Sequence, residues 1–574
     1  MSETDQRVTE DSQDRRELLR KLAAQARGKR NRIAPAPRPE RIPLSSGQRR
    51  LWWLDQLFPG ITAYNAPTVY WLRGDLNADA LRTALQSLIN RHEVLRTVYL
   101  AQSGEPFQRI LPTMPLRWDA IDARGDTPES RRDDALARAR DAASQPFDLT
   151  RDASLRASLI RVEPDLHLLC IVYHHIAIDG WSMAMLSKQF AQAYNTVLDG
   201  GTPDTTASEL QIADVAIWQQ EAVSGQALER QIDYWKERLE GAPAVLDLPT
   251  DRPRPAAQTF RGDSWSTRIP EPLYRKLENI GRERQSTMSM LVLTAFQILL
   301  SRYSNQDHVV IAAGSAGRTR LELENVVGFF INLLPLPLDL SDAPTFLDAL
   351  DRTRDTMLAS MDNGDAPLDK ILERLRVPRS SSYTPFAQVM YFFQNYPRLD
   401  LGMTGISVDY PHLSQCRQPT AQADFTLFVN QHFEGELMFE YAVDLYDEPT
   451  IRRMGGHLLR LLEAIADAPT TIANDLPILS AEEQARLAEW NRTERALPEP
   501  ATIAAQIAAQ VARTPDATAV EFAGRRMSYR ELDRRGNALA HALRAQGVGP
   551  GVLVGLYVER SLEMLVGLVG ILKV

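Results

Sequence analysis

Apolar residues recur along most of this chain in two rhythms, one of period two or unbroken and one of period 3.6. The alternation predicts strands and helices in succession and an α/β fold. Thr68-Val69-Tyr70-Trp71-Leu72 is β-branched and aromatic, so a strand is expected there; Asn77 can then cap a helix that places Leu81, Leu85 and Leu88 on one face. Leu168-Leu169-Cys170-Ile171-Val172-Tyr173 shows no polar alternation, the mark of a central strand covered on both faces. Behind it Leu186, Phe190, Tyr194 and Val197 follow at helical spacing after Ser182, a residue able to cap. The segment starting at His174 is therefore expected to turn from a buried strand into an amphipathic helix.

A second α/β set runs from about Ala222 to Ser480, with a helix expected over 288–303 and a strand over 308–313. The rhythm breaks around Trp490-Asn491-Arg492-Thr493 and Pro498-Glu499-Pro500, after which a helix near 504–513, a strand over 518–522 and a helix opening at Met527-Ser528-Tyr529 are expected. At the other end an acidic, polar start leads into Arg15-Arg16-Glu17-Leu18-Leu19-Arg20-Lys21-Leu22 and a Pro-rich piece ending near Pro43. That reads as a short helix on a linker, either a solvated leader or a docking element for an upstream protein. The expected division is a leader over 1–40, one lobe over 41–220, a second over 221–484, a linker over 485–502 and a small α/β unit over 503–574. This last unit is too short to bury its own surface fully.

A chain of 574 residues suits two or three compact units, and 44% hydrophobic with 24% charged residues is the make-up of a folded protein. The formal charge of −9 gives no basis for nucleic-acid binding. Cys170 and Cys416 form no disulfide framework, CxxC pair or metal-ligand spacing. The N-terminus lacks the apolar core of a signal peptide, and no unbroken apolar stretch reaches membrane-spanning length. A reducing cytoplasm fits these features, with neither export nor membrane insertion expected.

The chemistry concentrates in His174-His175-Ile176-Ala177-Ile178-Asp179-Gly180. Two histidines, a carboxylate and a small residue at a strand end supply a base, a charged orienter and room beside the backbone, a combination that acyl transfer can use. Read on through Trp181 and Ser182, the segment resembles the signature of nonribosomal peptide synthetase condensation domains, which belong with the chloramphenicol acetyltransferase-like acyltransferases. The resemblance extends in order to Leu44–Trp52, Arg91-His92-Glu93-Val94-Leu95-Arg96-Thr97, Ala213–Trp218, Val327–Asn332 and Arg379–Ser382, with a looser match at Asp362–Pro367. Residues 490–493, 527–532 and 559–564 resemble the linker and opening of an adenylation domain, without its Gly-rich Ser/Thr phosphate loop, so no amino-acid adenylation by this chain is expected.

The resemblance implies two chloramphenicol acetyltransferase-like lobes in a V-shaped pseudo-dimer, with a tunnel between them reached by two thioester-bearing arms. His175 would be catalytic at the meeting point and His174 a packing residue. Asp179 would be structural, paired with Arg91 or Arg96, beside Gly180. Trp181, Ser182 and Asn332 would position substrate. No metal and no cofactor held by the chain are implied: 4'-phosphopantetheine arrives on partner carrier proteins. The acceptor would be an aminoacyl peptidyl carrier and the donor an acyl carrier, acyl-CoA or upstream peptidyl carrier, with an adenylation domain in cis. The short leader makes the start of a synthetase subunit the expected position. A non-catalytic carrier-binding platform and an epimerisation-type domain are the competing readings.

Overall fold

The computed structural model describes residues 33–222, 226–394, 401–411, 419–431, 435–496, 499 and 502–574. The expected leader helix at Arg15–Leu22, Cys416, Pro498 and Pro500 lie outside them.

Ser45 and Gln48 close the first turn of helix α1 (Ser46–Leu57) with reciprocal side-chain to backbone hydrogen bonds. Strand β1 (Asn65–Gly74) leads to α2 (Ala78–Arg91), where the Asn77 side chain accepts from the Ala80 N–H at 2.9 Å and Leu81, Leu85 and Leu88 are buried as their spacing predicts. β2 (Arg117–Asp122), β3 (Leu155–Glu163) and β4 (Leu166–His174) join β1 in one sheet, in which β4 lies between β1 and β3 with every residue but His167 buried. The unbroken apolar run is thus an interior strand. It passes directly into the turn that precedes α3 (Gly180–Leu198).

The second half builds its own sheet. β5 (Gly262–Arg268) precedes α4 (Met288–Ser304), a helix buried on nearly every side, and β6 (His308–Ser315), β7 (Asn332–Asp339) and β8 (Val389–Gln394) follow. β9 (Ile406–Asp409) leaves this sheet, and β10 (Phe425–Asn430) and β11 (Glu436–Ala442) return to it, giving the mixed order β5-β11-β10-β8-β6-β7. β9 instead pairs antiparallel with the edge of β1, from Trp71 opposite Asp409 to Gly74 opposite Ile406. Gly74 permits that approach: its φ is +140°, and a Cβ there would lie 2.2 Å from the Gly405 carbonyl oxygen. The first lobe's core also takes in Leu323, Val326, Val327, Phe329 and Phe330 from the second half. The expected α/β class is what the structure shows, two lobes each built on one mixed sheet, with a strand and a loop crossing from the second to the first.

Residues 481–574 form a separate compact unit. Helices Ile503–Arg513, Tyr529–Ala545 and Leu562–Leu572 and the hairpin Thr518–Phe522 with Arg525–Ser528 surround a small core of Met527, Leu532, Leu562, Val566 and Val569. The helix expected to open at Met527 starts at Tyr529, because residues 525–528 are the return strand and Ser528 caps the helix through the Glu531 N–H. No helix among the described residues is long and apolar enough to cross a membrane.

Candidate active site

The turn after β4 is fixed from its backbone outward. His174 N–H donates to Ser154 O at 3.0 Å and His175 N–H to Tyr64 O at 2.8 Å, which extends the strand pairing on both sides through the two histidines. The helix that follows is capped by Asp179, whose Oδ1 accepts from the Ser182 N–H at 2.8 Å, and not by Ser182 as the spacing suggested. Capping from Asp179 makes Gly180 the first helical residue and carries Ser182 inside the helix.

The two imidazoles are held in opposite tautomers. His175 Nδ1 lies 3.0 Å from Ile178 O, and a carbonyl oxygen only accepts, so Nδ1 bears the proton and Nε2 keeps its lone pair when the ring is neutral. His174 Nδ1 instead accepts from the Ile176 N–H at 3.1 Å, which leaves its proton on Nε2. His174 is buried edge-on against Phe147, whereas His175 is only half-buried. Burial, the neighbouring His175 and Arg156 push His174 down to about 3, so its ring stays neutral. Burial also lowers His175 below the usual histidine range, and Arg50 pushes the same way; the Ile178 hydrogen bond and Asp179 pull it back up. His175 is therefore a neutral base at neutral pH.

Asp179 is buried, and its charge is compensated from the second lobe rather than from Arg91 or Arg96. Arg318, 139 residues away and 3% exposed, places Nη1 2.5 Å from Asp179 Oδ2, which also accepts from the Phe330 N–H at 3.1 Å. The other guanidinium nitrogen donates to Ser182 Oγ at 2.9 Å and Val326 O at 3.1 Å, and the cation lies 4.3 Å from the Phe330 ring centroid. Arg91 faces outward to Asp204 at 3.0 Å, and Arg96 donates to Leu111 O at 2.9 Å. Helix α2 and the turn after it aim both arginines away from the buried carboxylate, so neither can compensate it. Sequence spacing held no signal for Arg318 beyond the general need of a buried carboxylate for a cation.

Of the residues expected to position substrate, Ser182 is fully buried and committed to the Gly328 backbone, donating to its carbonyl at 2.9 Å and accepting from its N–H at 3.1 Å. It is a strut for the 326–330 loop and cannot meet a ligand. Trp181 Nε1 donates to Glu324 O at 2.9 Å. Asn332 ties down the loosely matching motif, its Nδ2 donating to Gly364 O at 2.8 Å and Ala366 O at 3.0 Å.

Beside these elements lies a cavity of about 310 Å³ whose wall includes Gly47, Arg50, Trp218, Gln231, Phe329 and Asn332. His175 does not line it. Phe329 does, and its ring also meets His175 edge to face, with centroids 6.0 Å apart. Among the described residues no three His, Cys, Asp or Glu side chains converge as a metal site would require.

A family model described as a condensation domain matches residues 39–488, and one described as an AMP-binding enzyme matches residues 507–574. The chain is 40% identical over 544 residues to one of the linear gramicidin synthase proteins of Brevibacillus parabrevis, covering 94% of this chain and 7% of that protein. It is 39% identical over 547 residues to chondramide synthase cmdD of Chondromyces crocatus, covering 94% and 14%. The chain thus spans a small fraction of the length of these relatives. Among solved structures, the X-domain from teicoplanin biosynthesis superposes with a TM-score of 0.71 at 28% identity, covering 78% of this chain and all of that one. A four-domain nonribosomal peptide synthetase, holo-AB3403 bound to AMP and glycine, superposes with a TM-score of 0.74 at 23% identity, covering 92% and 40%; at that identity the likeness speaks for the fold.

Proposed function

Because the chain belongs to the condensation-domain family, followed by the start of an AMP-binding domain, we propose that residues 39–488 join the amine of a carrier-bound aminoacyl group to a donor acyl thioester, with His175 as the catalytic residue. The observation that carries this reading is the His175 ring, neutral, with its proton fixed on Nδ1 by Ile178 O and its Nε2 lone pair left to a substrate proton.

The demand on that base is modest. An α-amine with a pKa near 7.7–8.0 costs only about 1 kcal/mol to deprotonate at pH 7, while bringing amine and thioester together can contribute roughly 7–11 kcal/mol. His175 orients the amine, takes its proton as the C–N bond forms and returns one to the departing thiolate. The chain holds no cofactor of its own in this reading: phosphopantetheine arrives on an acceptor peptidyl carrier and on the donor, which is a fatty acyl carrier, acyl-CoA or an upstream peptidyl carrier. The adenylation domain acts in cis, and the cytoplasm is the compartment this reading assigns to the thioester chemistry.

The test is amide formation from loaded carriers followed by mass spectrometry, with acyl and peptidyl donors offered side by side. His175→Ala should slow the reaction by about 10²–10⁴-fold, the usual contribution of a general base, with its circular dichroism unchanged. A variant condensing at the parental rate removes His175 from the mechanism. Carriers that bind without any joined product favour a non-catalytic platform, and conversion of an L- to a D-aminoacyl carrier favours epimerisation.

A further inference from the structure

Gly47 is unexplained by its own helix. It sits in the first turn of α1, where alanine is the better helix former, and its φ is not positive, so the backbone has no need of glycine. Its neighbour supplies the reason. A Cβ on Gly47 would lie 2.7 Å from Phe329 Cδ1 and 3.0 Å from Cε1, so the absent side chain is the space the ring occupies.

That ring touches both the cavity, which His175 does not line, and His175 itself. Its backbone is pinned on either side, Gly328 by Ser182 Oγ at 3.1 and 2.9 Å and Phe330 N–H by Asp179 at 3.1 Å. The main chain is fixed and the ring is itself buried against Gly47, so this wall can open only by movement of the Phe329 side chain.

We infer that Phe329 is a specificity-determining gate between the cavity and His175, and that Gly47 is the recess holding it. The ring sets how bulky a side chain can stand next to the reacting centre on the aminoacyl or peptidyl ligand that comes through this cavity. The inference rests on the amide-forming reading above.

The experiment uses the full chain with two substrate series, acceptor carriers bearing glycine, leucine or phenylalanine with one donor, and donors ending in the same residues with one acceptor. Phe329→Ala should raise the rate with the large residues relative to glycine by about tenfold or more, in the series whose ligand uses the cavity. Gly47→Ala, which presses on the ring, should shift the same ratio the opposite way, and should add nothing in the Phe329→Ala background. A ratio of rates is insensitive to the fraction of folded enzyme, so partial unfolding cannot mimic this pattern. Ratios unchanged in both series, or effects of the two substitutions that simply multiply, overturn the gate while leaving amide formation standing. A parental chain that forms no amide in either series overturns both.

Discussion

Arg318 and Asp179 show how much rests on single buried groups. Removing one partner of a buried ion pair leaves the other charge stranded, a loss of about 3–5 kcal/mol, so Arg318→Ala should lower the urea midpoint steeply and abolish condensation. Arg91→Ala, whose partner Asp204 is solvent-exposed, should leave the urea midpoint close to the parental one. The histidines add a dependence on acidity. His174, down to about 3, and His92, lowered to about 4 mainly by burial, remain neutral in the folded chain while the unfolded chain takes protons near 6.5. The unfolded state then binds more protons, so stability is full above pH 6.5 and falls below it by about 1.4 kcal/mol per pH unit for each ring. Denaturant titrations between pH 7 and pH 4.5 should show that decline, and a flat profile would mean the folded rings take up protons as readily as the unfolded ones.

At the scale of elements, β9 is the segment most exposed to a local change. Gly74→Ala places a methyl group against the Gly405 carbonyl in a left-handed backbone region; we expect a loss of about 1–3 kcal/mol and faster amide exchange over residues 406–409. This crossover also marks where reading the sequence reaches its limit. β4 and α2 were legible because their signals are local: an unbroken apolar run for an interior strand, and Asn77 with three leucines on one face for a capped helix. β9 carries only four residues, and nothing in them tells which sheet edge they join. The strand-to-helix turn at residues 174–180 was legible as a unit, and the contacts within it less so. Asp179 rather than Ser182 caps the helix, and the counter-ion is one of 65 lysines and arginines that no spacing rule distinguishes.

For the whole molecule, the two compact units differ in what holds them. The described residues up to 480 contain two extensive cores, whereas those of 481–574 gather one small cluster of Met527, Leu532, Leu562, Val566 and Val569 and leave Leu553 and Tyr557 fully exposed. Calorimetry should therefore resolve two transitions, the smaller at lower temperature, and amide formation should survive the first. A single transition would show that the small unit depends on the larger for its stability.

The reach of Arg318 and of the 326–330 loop into the turn at Asp179 bears on recombining such enzymes. A hybrid that exchanges only the short stretch between β4 and α3 would import a new imidazole into an anchorage shaped for another. Parentage should be kept common to residues 174–182 and 316–330, so that splice points fall outside both and the transplanted ring arrives already braced.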